Sequence, residues 1–322
     1  MITVFKTETR EISRPANRPV RSHRSTTKRP ALWLSDFEAG SNTHRRMSEP
    51  QSPPRISIVI PVYNEEAILR SAIVDLRERL SPLGWKYEVI IAENGSRDKT
   101  AELARTLCDK YPELRALSTG EPNYGNALRE GIRAARGEFV LCDEIDLCDT
   151  DFHQAAVQEL ESGDTDLVIG SKLIAGARDQ RPMVRHAASI AYTALLRGLL
   201  GFRGTDTHGL KAFRRLALLP LVEACVADRD VFASEFVIRT YRSGKRVVEI
   251  PIQVLEKRPP SINLFKRVPN VLTNLAKLTW AIRVRGLSAQ VCCSRSRASA
   301  TLAVVRWATA HWATYQHARR PW

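Results

Sequence analysis

Ile56-Ser57-Ile58-Val59-Ile60-Pro61-Val62-Tyr63-Asn64-Glu65-Glu66 is the stretch that decides the fold. From Arg55 to Pro61 it is a short β-branched apolar run, the pattern of a strand buried on both faces. Asn64-Glu65-Glu66 then predicts a helix to about Leu80, with a capping side chain and acids at the positive helix end. Outward from this pair the same alternation recurs. Strands are expected at Tyr87–Ala92, Leu114–Leu117, Glu138–Cys142 and Asp166–Gly170, and helices at about Asp98–Lys110 and Tyr124–Ala135. This spacing predicts an α/β fold, a doubly wound, mostly parallel sheet with helices on both faces.

In such sheets the ligand sits outside the carboxyl ends of the strands. That rule selects the loops Pro61–Glu65, Glu93–Asp98 and Asp143–Asp149. Acids recur there at Glu65, Glu93, Glu144 and Asp146. Like charges gathered in one crevice raise each other's pKa or neutralise a cation. Carboxylates without His or Cys partners suit Mg²⁺ or Mn²⁺, shared with substrate phosphates. Neither G-x-x-x-x-G-K-[ST] nor G-x-G-x-x-G follows any strand, which removes P-loop, kinase and dinucleotide readings.

The charge divides by region. The 322 residues carry a net +14, yet residues 1–54 hold +5, 257–322 hold +12 with no acid at all, and the middle is slightly acidic. Residues 1–54, rich in Arg, Ser, Thr and Pro, are expected as a disordered basic arm. The six cysteines show no metal spacing, and no apolar leader follows the first Met, so a cytoplasmic setting with reduced thiols is expected. No segment approaches ~18 consecutive apolar residues. Ala187–Phe202 comes nearest and is interrupted by Arg197.

In the C-terminal region, 259–322, Leu264, Val268, Leu272, Leu275, Leu278 and Ile282 recur at helical spacing among Lys266, Arg267, Lys277, Arg283 and Arg285. This predicts a basic amphipathic helix from about Pro269, lying on a membrane interface or packed on the core. A nucleic-acid-binding protein using both basic ends is the rival from another class. It lacks a recognised binding motif, and the acids at the strand ends would repel its ligand, so no nucleic acid is expected.

The stretch Ile58–Glu66 resembles the opening strand of the inverting glycosyltransferases of family 2, which have the GT-A fold. Ala92-Glu93-Asn94-Gly95-Ser96-Arg97-Asp98, Asn123–Leu128, Glu144-Ile145-Asp146, Gly170-Ser171-Lys172, Pro182–Arg185, Thr205–Arg214 and Val247–Pro251 follow in the family's order. The similarity runs over about 56–258 and is greatest to the dolichol-phosphate mannose synthase group, so 55–258 is expected as the catalytic domain. The resemblance implies that Pro61, Tyr63 and Glu65 line a nucleoside pocket and that Glu93 and Asn94 hold the base or ribose. Glu144 and Asp146 occupy the metal-bridging D-x-D positions, and Lys172 and Arg185 the phosphate-binding ones. It implies a hexose moved from a nucleoside-diphosphate sugar to a polyprenyl phosphate at the cytosolic membrane face, with Mg²⁺ or Mn²⁺.

A soluble or glycolipid hydroxyl acceptor is the alternative, and it would need a carboxylate base. Asp206, Asp230 and Glu235 are the candidates, Asp206 first because of its Thr-Asp-Thr-His-Gly turn. Departures from the family pattern are Glu144 for the first Asp, with Asp143 beside it as a substitute, Cys148 near the metal, and Glu93-Asn94 for two aspartates.

Overall fold

The computed structural model describes residues 31–32, 53–180, 182–254, 273–280 and 282–283. The strands are β1 (Ala31–Leu32), β2 (Ile56–Val62), β3 (Tyr87–Glu93), β4 (Leu114–Ser118), β5 (Phe139–Cys142), β6 (Leu167–Ser171), β7 (Arg178–Asp179), β8 (Lys211–Arg214), β9 (Val247–Pro251) and β10 (Gln253–Val254). The helices are α1 (Leu69–Leu80), α2 (Thr100–Lys110), α3 (Tyr124–Ala134), α4 (Thr150–Glu161), α5 (Met183–Leu200), α6 (Arg215–Ala224) and α7 (Phe232–Arg242).

Eight strands form one sheet in the order β1-β4-β3-β2-β5-β8-β6-β9. β2 pairs in parallel with β3 on one side and with β5 on the other. The winding direction therefore reverses beside β2, and the crevice at its carboxyl end is the switch point where open α/β sheets bind ligands. β8 runs antiparallel between β5 and β6. It lays the turn before it, Thr205–Gly209, beside the ends of the parallel strands.

Alternation along β2 explains the layering. Ile56, Ile58, Ile60 and Val62 enter one apolar cluster with Leu69, Ile73, Leu76 and Leu80 of α1. Val59 faces the opposite cluster, which holds Leu128 and Ile132 of α3 and Phe232 and Phe236 of α7. Each buried Ile or Leu contributes ~1.5–3 kcal/mol of transfer free energy.

α1 begins at Leu69, four residues later than a cap at Asn64 predicts. Asn64 adopts φ +54 and its loop is spent on bonds to the loop after β3. Asn64 N–H donates to Ser96 Oγ (3.0 Å), Glu65 N–H to Thr100 Oγ1 (2.7 Å) and Glu66 N–H to Asp98 Oδ2 (3.1 Å). In return Arg97 N–H donates to Asn64 Oδ1 (2.9 Å) and Lys99 N–H to Glu66 Oε2 (3.1 Å). The polar groups expected to cap a helix clamp two loops together.

Most of the expected N-terminal arm lies outside the described residues, as do Leu264, Val268 and Leu272 of the C-terminal stripe. The stripe's remaining members, Leu275, Leu278 and Ile282, are buried in the same cluster as Leu196 and Leu200 of α5. Of the two settings open to that stripe, packing on the core is the one these three residues adopt.

Candidate active site

A cleft of about 190 Å³ opens at the carboxyl ends of β2 and β5. Pro61, Val62, Tyr63 and Glu65 line it from the first loop, and Asn94 from the second. Tyr124, Glu144, Ile145 and Asp146 complete the wall. Six of the expected site residues are thus brought together: Pro61, Tyr63, Glu65, Asn94, Glu144 and Asp146.

Tyr124 is placed by the start of α3. Asn123 caps that helix by accepting from Asn126 N–H at 3.0 Å. The Tyr124 hydroxyl donates to Glu144 Oε1 at 2.5 Å. Burial pushes the Glu144 carboxyl up to about 7; the Tyr124 hydrogen bond opposes this and the charge of Asp146 adds to it. A carboxylate held so close to another acid is stabilised by a cation. Lys211 lies beneath in β8, with its ammonium donating to Gly209 O at 2.6 Å. Burial lowers its pKa, while Cys142, Asp206 and Glu144 work in the other direction.

Asp143 faces away from the cleft, as strand alternation requires. Its Oδ1 accepts Glu144 N–H at 2.7 Å. Its Oδ2 lies 2.6 Å from His153 Nε2, both side chains sealed from solvent, at angles that are not those of a hydrogen bond. Asp143 therefore braces the loop behind Glu144 and is not in a position to replace it. Cys148, at φ +43, is buried, its thiol 3.6 Å from Ile145 O. Among the described residues no three His, Cys, Asp or Glu side chains converge. Glu144 and Asp146 are the acids that the loop after β5 contributes to the cleft, and Glu65 is the acid contributed by the loop after β2.

Glu93 is buried, and its carboxylate is engaged by Ser96 N–H and by the Ser118 hydroxyl. It shapes the turn that presents Asn94, whose Oδ1 accepts Asn123 N–H at 2.5 Å. Lys172, after β6, forms a 2.5 Å ion pair with Asp206 Oδ2. Asp206 Oδ1 accepts His208 N–H at 2.9 Å. Burial would raise the Asp206 pKa, but the charge and hydrogen bond of Lys172 bring it below the ordinary value. Gly209 follows because a Cβ there would stand 1.8 Å from Gly170 O.

Arg185 lies half-buried in the first turn of α5. Glu235 is fully buried and takes Val226 N–H, Ala227 N–H and Arg239 on its two oxygens, a purely structural set. The Asp230 side chain lies outside the described residues.

The family described as "Glycosyl transferase family 2" matches residues 57–219. The chain belongs to this family. Glycosyltransferase AglD of Haloferax volcanii is 28% identical over 236 residues, 71% of this chain and 38% of that protein. The undecaprenyl-phosphate mannosyltransferase of Micrococcus luteus is 29% identical over 245 residues, 74% of this chain and 99% of its own. The matched stretch thus spans well under half of AglD and nearly the whole of the M. luteus enzyme. Among solved structures, glucosyl-3-phosphoglycerate synthase of Mycobacterium tuberculosis, in complex with Mn²⁺, uridine diphosphate and phosphoglyceric acid, superposes with a TM-score of 0.50. It is 21% identical and covers 70% of this chain and 78% of its own, a likeness of GT-A fold.

Three residues of this family 2 site carried no individual role in the sequence reading: Tyr124, His153 and Lys211. Lys211 left a signal, a lone cation inside the otherwise apolar run Leu210–Phe213. Tyr124 left only its place after the capping Asn123.

Proposed function

We propose that this family 2 chain is an inverting glycosyltransferase. It moves a hexose from a nucleoside-diphosphate sugar to a polyprenyl phosphate at the cytosolic face of a membrane. The observation that carries the reading is the pair Glu144 and Asp146 on the switch-point cleft, with Lys172 held by Asp206 after β6, the strand on the far side of β8. The undecaprenyl-phosphate acceptor named for the M. luteus relative supports the lipid side of the reading.

Pro61, Tyr63 and Asn94 form the nucleoside wall, with Glu65 beside them and Glu93 fixing the turn. Glu144 and Asp146 would hold Mg²⁺ or Mn²⁺, because hard carboxylate oxygens suit such cations. Bound there, such an ion supplies Lewis-acid stabilisation of the departing diphosphate. Lys172 and Arg185 hold phosphate charge. An oxygen of the acceptor phosphate attacks the anomeric carbon. As that C–O bond forms, the bond to the diphosphate breaks on the opposite face, and its electron pair leaves with the nucleoside diphosphate.

A phosphate acceptor is already an anion and needs little help from a base. We therefore assign Asp206 to orienting Lys172 rather than to taking a proton, since its carboxylate is engaged on both oxygens. A hydroxyl acceptor would need a free carboxylate, and neither Asp206 nor Glu235 offers one.

The test is a thermal-shift screen of UDP-, GDP- and dTDP-sugars with and without Mn²⁺, followed by transfer to a short-chain polyprenyl phosphate. Expected are one metal-dependent stabilising donor and an anomerically inverted lipid-phosphate product. Binding of no nucleotide sugar under any condition, or transfer only to hydroxyl acceptors, overturns the proposal.

A further inference from the structure

α5 is amphipathic the wrong way round for a helix facing water. Each residue turns an α-helix by about 100°. Thr193, Leu196 and Leu200 therefore share one side, and these are its buried residues. On the opposite side Met183 is 81% exposed, Ile190 51% and Leu195 41%, with Val184 and Leu199 also open. Ala and Gly fill the positions between them. The outer arc, about 180° wide from Ile190 round to Leu199 and about 24 Å long, contains no polar side chain. α1 is the contrast, since its exposed positions include Arg70, Asp75, Glu78 and Arg79.

The charge around this face has one sign. From Pro182 to Thr205 there is no acid, while Arg185, Arg197 and Arg203 are present. Arg283 of the C-terminal stretch donates to Leu199 O at 2.5 Å, so a second basic side chain closes the end of α5. Trp280, one turn earlier, is 52% exposed. An apolar face on a segment that carries three Arg and no acid has the composition of an interfacial helix, and the exposed Trp280 lies three residues before the Arg283 that bonds the end of α5. Among the described residues no helix is long and apolar enough to cross a membrane.

The inner side of α5 is stitched to the site. Thr193 Oγ1 donates to Thr205 O at 3.0 Å and Arg197 to Gly204 O at 3.1 Å, immediately before Asp206. Tyr192 stacks edge-on against His208 at 5.4 Å. We propose that the outer face of α5, with Trp280, seats the protein on the surface of an anionic lipid bilayer. This inference deepens, and rests on, the lipid-phosphate reading above. The Asp206–Lys172 pair then stands about one helix diameter from the lipid, where a membrane-borne phosphate is presented. The seat is the outer face of α5 rather than the buried stripe of the C-terminal helix.

The experiment is flotation of the full chain with vesicles of phosphatidylcholine, with and without phosphatidylglycerol. It compares wild type with the double variant Ile190→Glu and Leu195→Glu. Both side chains are exposed, so the variant is expected to keep the wild-type circular dichroism and Mn²⁺–nucleotide-sugar binding. Expected is vesicle binding that rises with phosphatidylglycerol and falls by at least ~10-fold in the double variant. A second variant, Met183→Glu, is expected to act in the same direction. Transfer to a short-chain acceptor in detergent should stay within about 2-fold.

Unchanged flotation of the double variant overturns the inference. So does a dimer in sedimentation velocity that the substitutions dissolve, with no vesicle binding by the wild type. Vesicle binding without turnover of any donor counts against the transferase reading alone and leaves the seat standing. Turnover in detergent without vesicle binding does the reverse.

Discussion

Two groups of acids stand at the strand ends, and they are treated in opposite ways. On the β2 and β3 side, Glu66, Glu93 and Asp98 each accept backbone N–H groups of a neighbouring turn. Charge-assisted bonds of this kind satisfy a carboxylate and leave little field for a ligand. On the β5 side, Glu144 receives a single phenolic hydroxyl and stands near Asp146 and the buried Lys211. Its charge is left for something outside the chain. Acids that look alike in sequence thus divide into those that build the loops and those that face the ligand, and the partner decides which.

The sharpest way to break this division is to neutralise one acid from each side. Asp146→Asn is expected to lower transfer on the order of 10³-fold, about 4 kcal/mol of barrier, with melting temperature unchanged in the absence of metal. A variant that retains more than a tenth of the activity would move Asp146 off the metal. Glu93→Gln is expected to do the converse. It replaces one acceptor oxygen by an amide facing Ser96 N–H or the Ser118 hydroxyl, at a cost of about 3 kcal/mol of stability. Urea unfolding measures that cost, and kcat at saturating donor should change little. If Glu93→Gln instead raises only KM for the donor, Glu93 contacts the base or ribose directly.

Titration sharpens the comparison next. The Glu144 pKa is raised to about 7 in the folded chain, so between its ordinary value and 7 the folded state binds the proton that the unfolded chain releases. Stability is then greatest below about 4.5 and declines as pH rises through 7. Because solvent reaches the cleft, the decline attributable to Glu144 is about 2 kcal/mol rather than the full shift. Metal-free thermal unfolding across this range measures it, compared with Glu144→Gln, which should flatten the slope. Added Mn²⁺ should restore stability above pH 7 and leave it unaltered near pH 5.

The legible parts of the fold were those with a local pattern. β2, β3, β5 and β6 are continuous apolar runs, and the loops that follow them carry the acids of the cleft. β8 is hidden because Lys211 interrupts its short apolar run, and the run does not reveal that Cys142 of β5 and Glu144 of the loop after it stand beside that cation. The start of α1 was misplaced because Asn64 and Glu66 are good capping residues that found partners in the loop after β3, more than thirty residues away. The C-terminal apolar stripe and the apolar segment Ala187–Phe202 are visible in the sequence, but their coverage is not. Leu275 and Leu278 are buried in one cluster with Leu196 and Leu200 of α5, whereas Ile190 and Leu195 remain exposed. Periodicity marks an apolar face and is silent about what lies against it.

The finest distinction concerns Tyr124, which belongs to the β5 side only through its hydroxyl. Burial and the neighbouring Glu144 keep its own pKa well above the ordinary phenol value, so it remains a donor throughout the working range. Tyr124→Phe keeps the ring and removes that donor, and the Glu144 carboxyl then loses the main bond favouring its charged form. Proton affinity at Glu144 rises, and a cation must displace a tighter proton, which weakens metal binding at pH 7 by about 1 kcal/mol, roughly fivefold. Above pH 8 the carboxyl is ionised in both proteins and the difference should shrink. Isothermal titration with Mn²⁺ at the two pH values measures this. An equal loss at both would mean that Tyr124 fixes the shape of the loop, and that the hydrogen bond does not tune the charge.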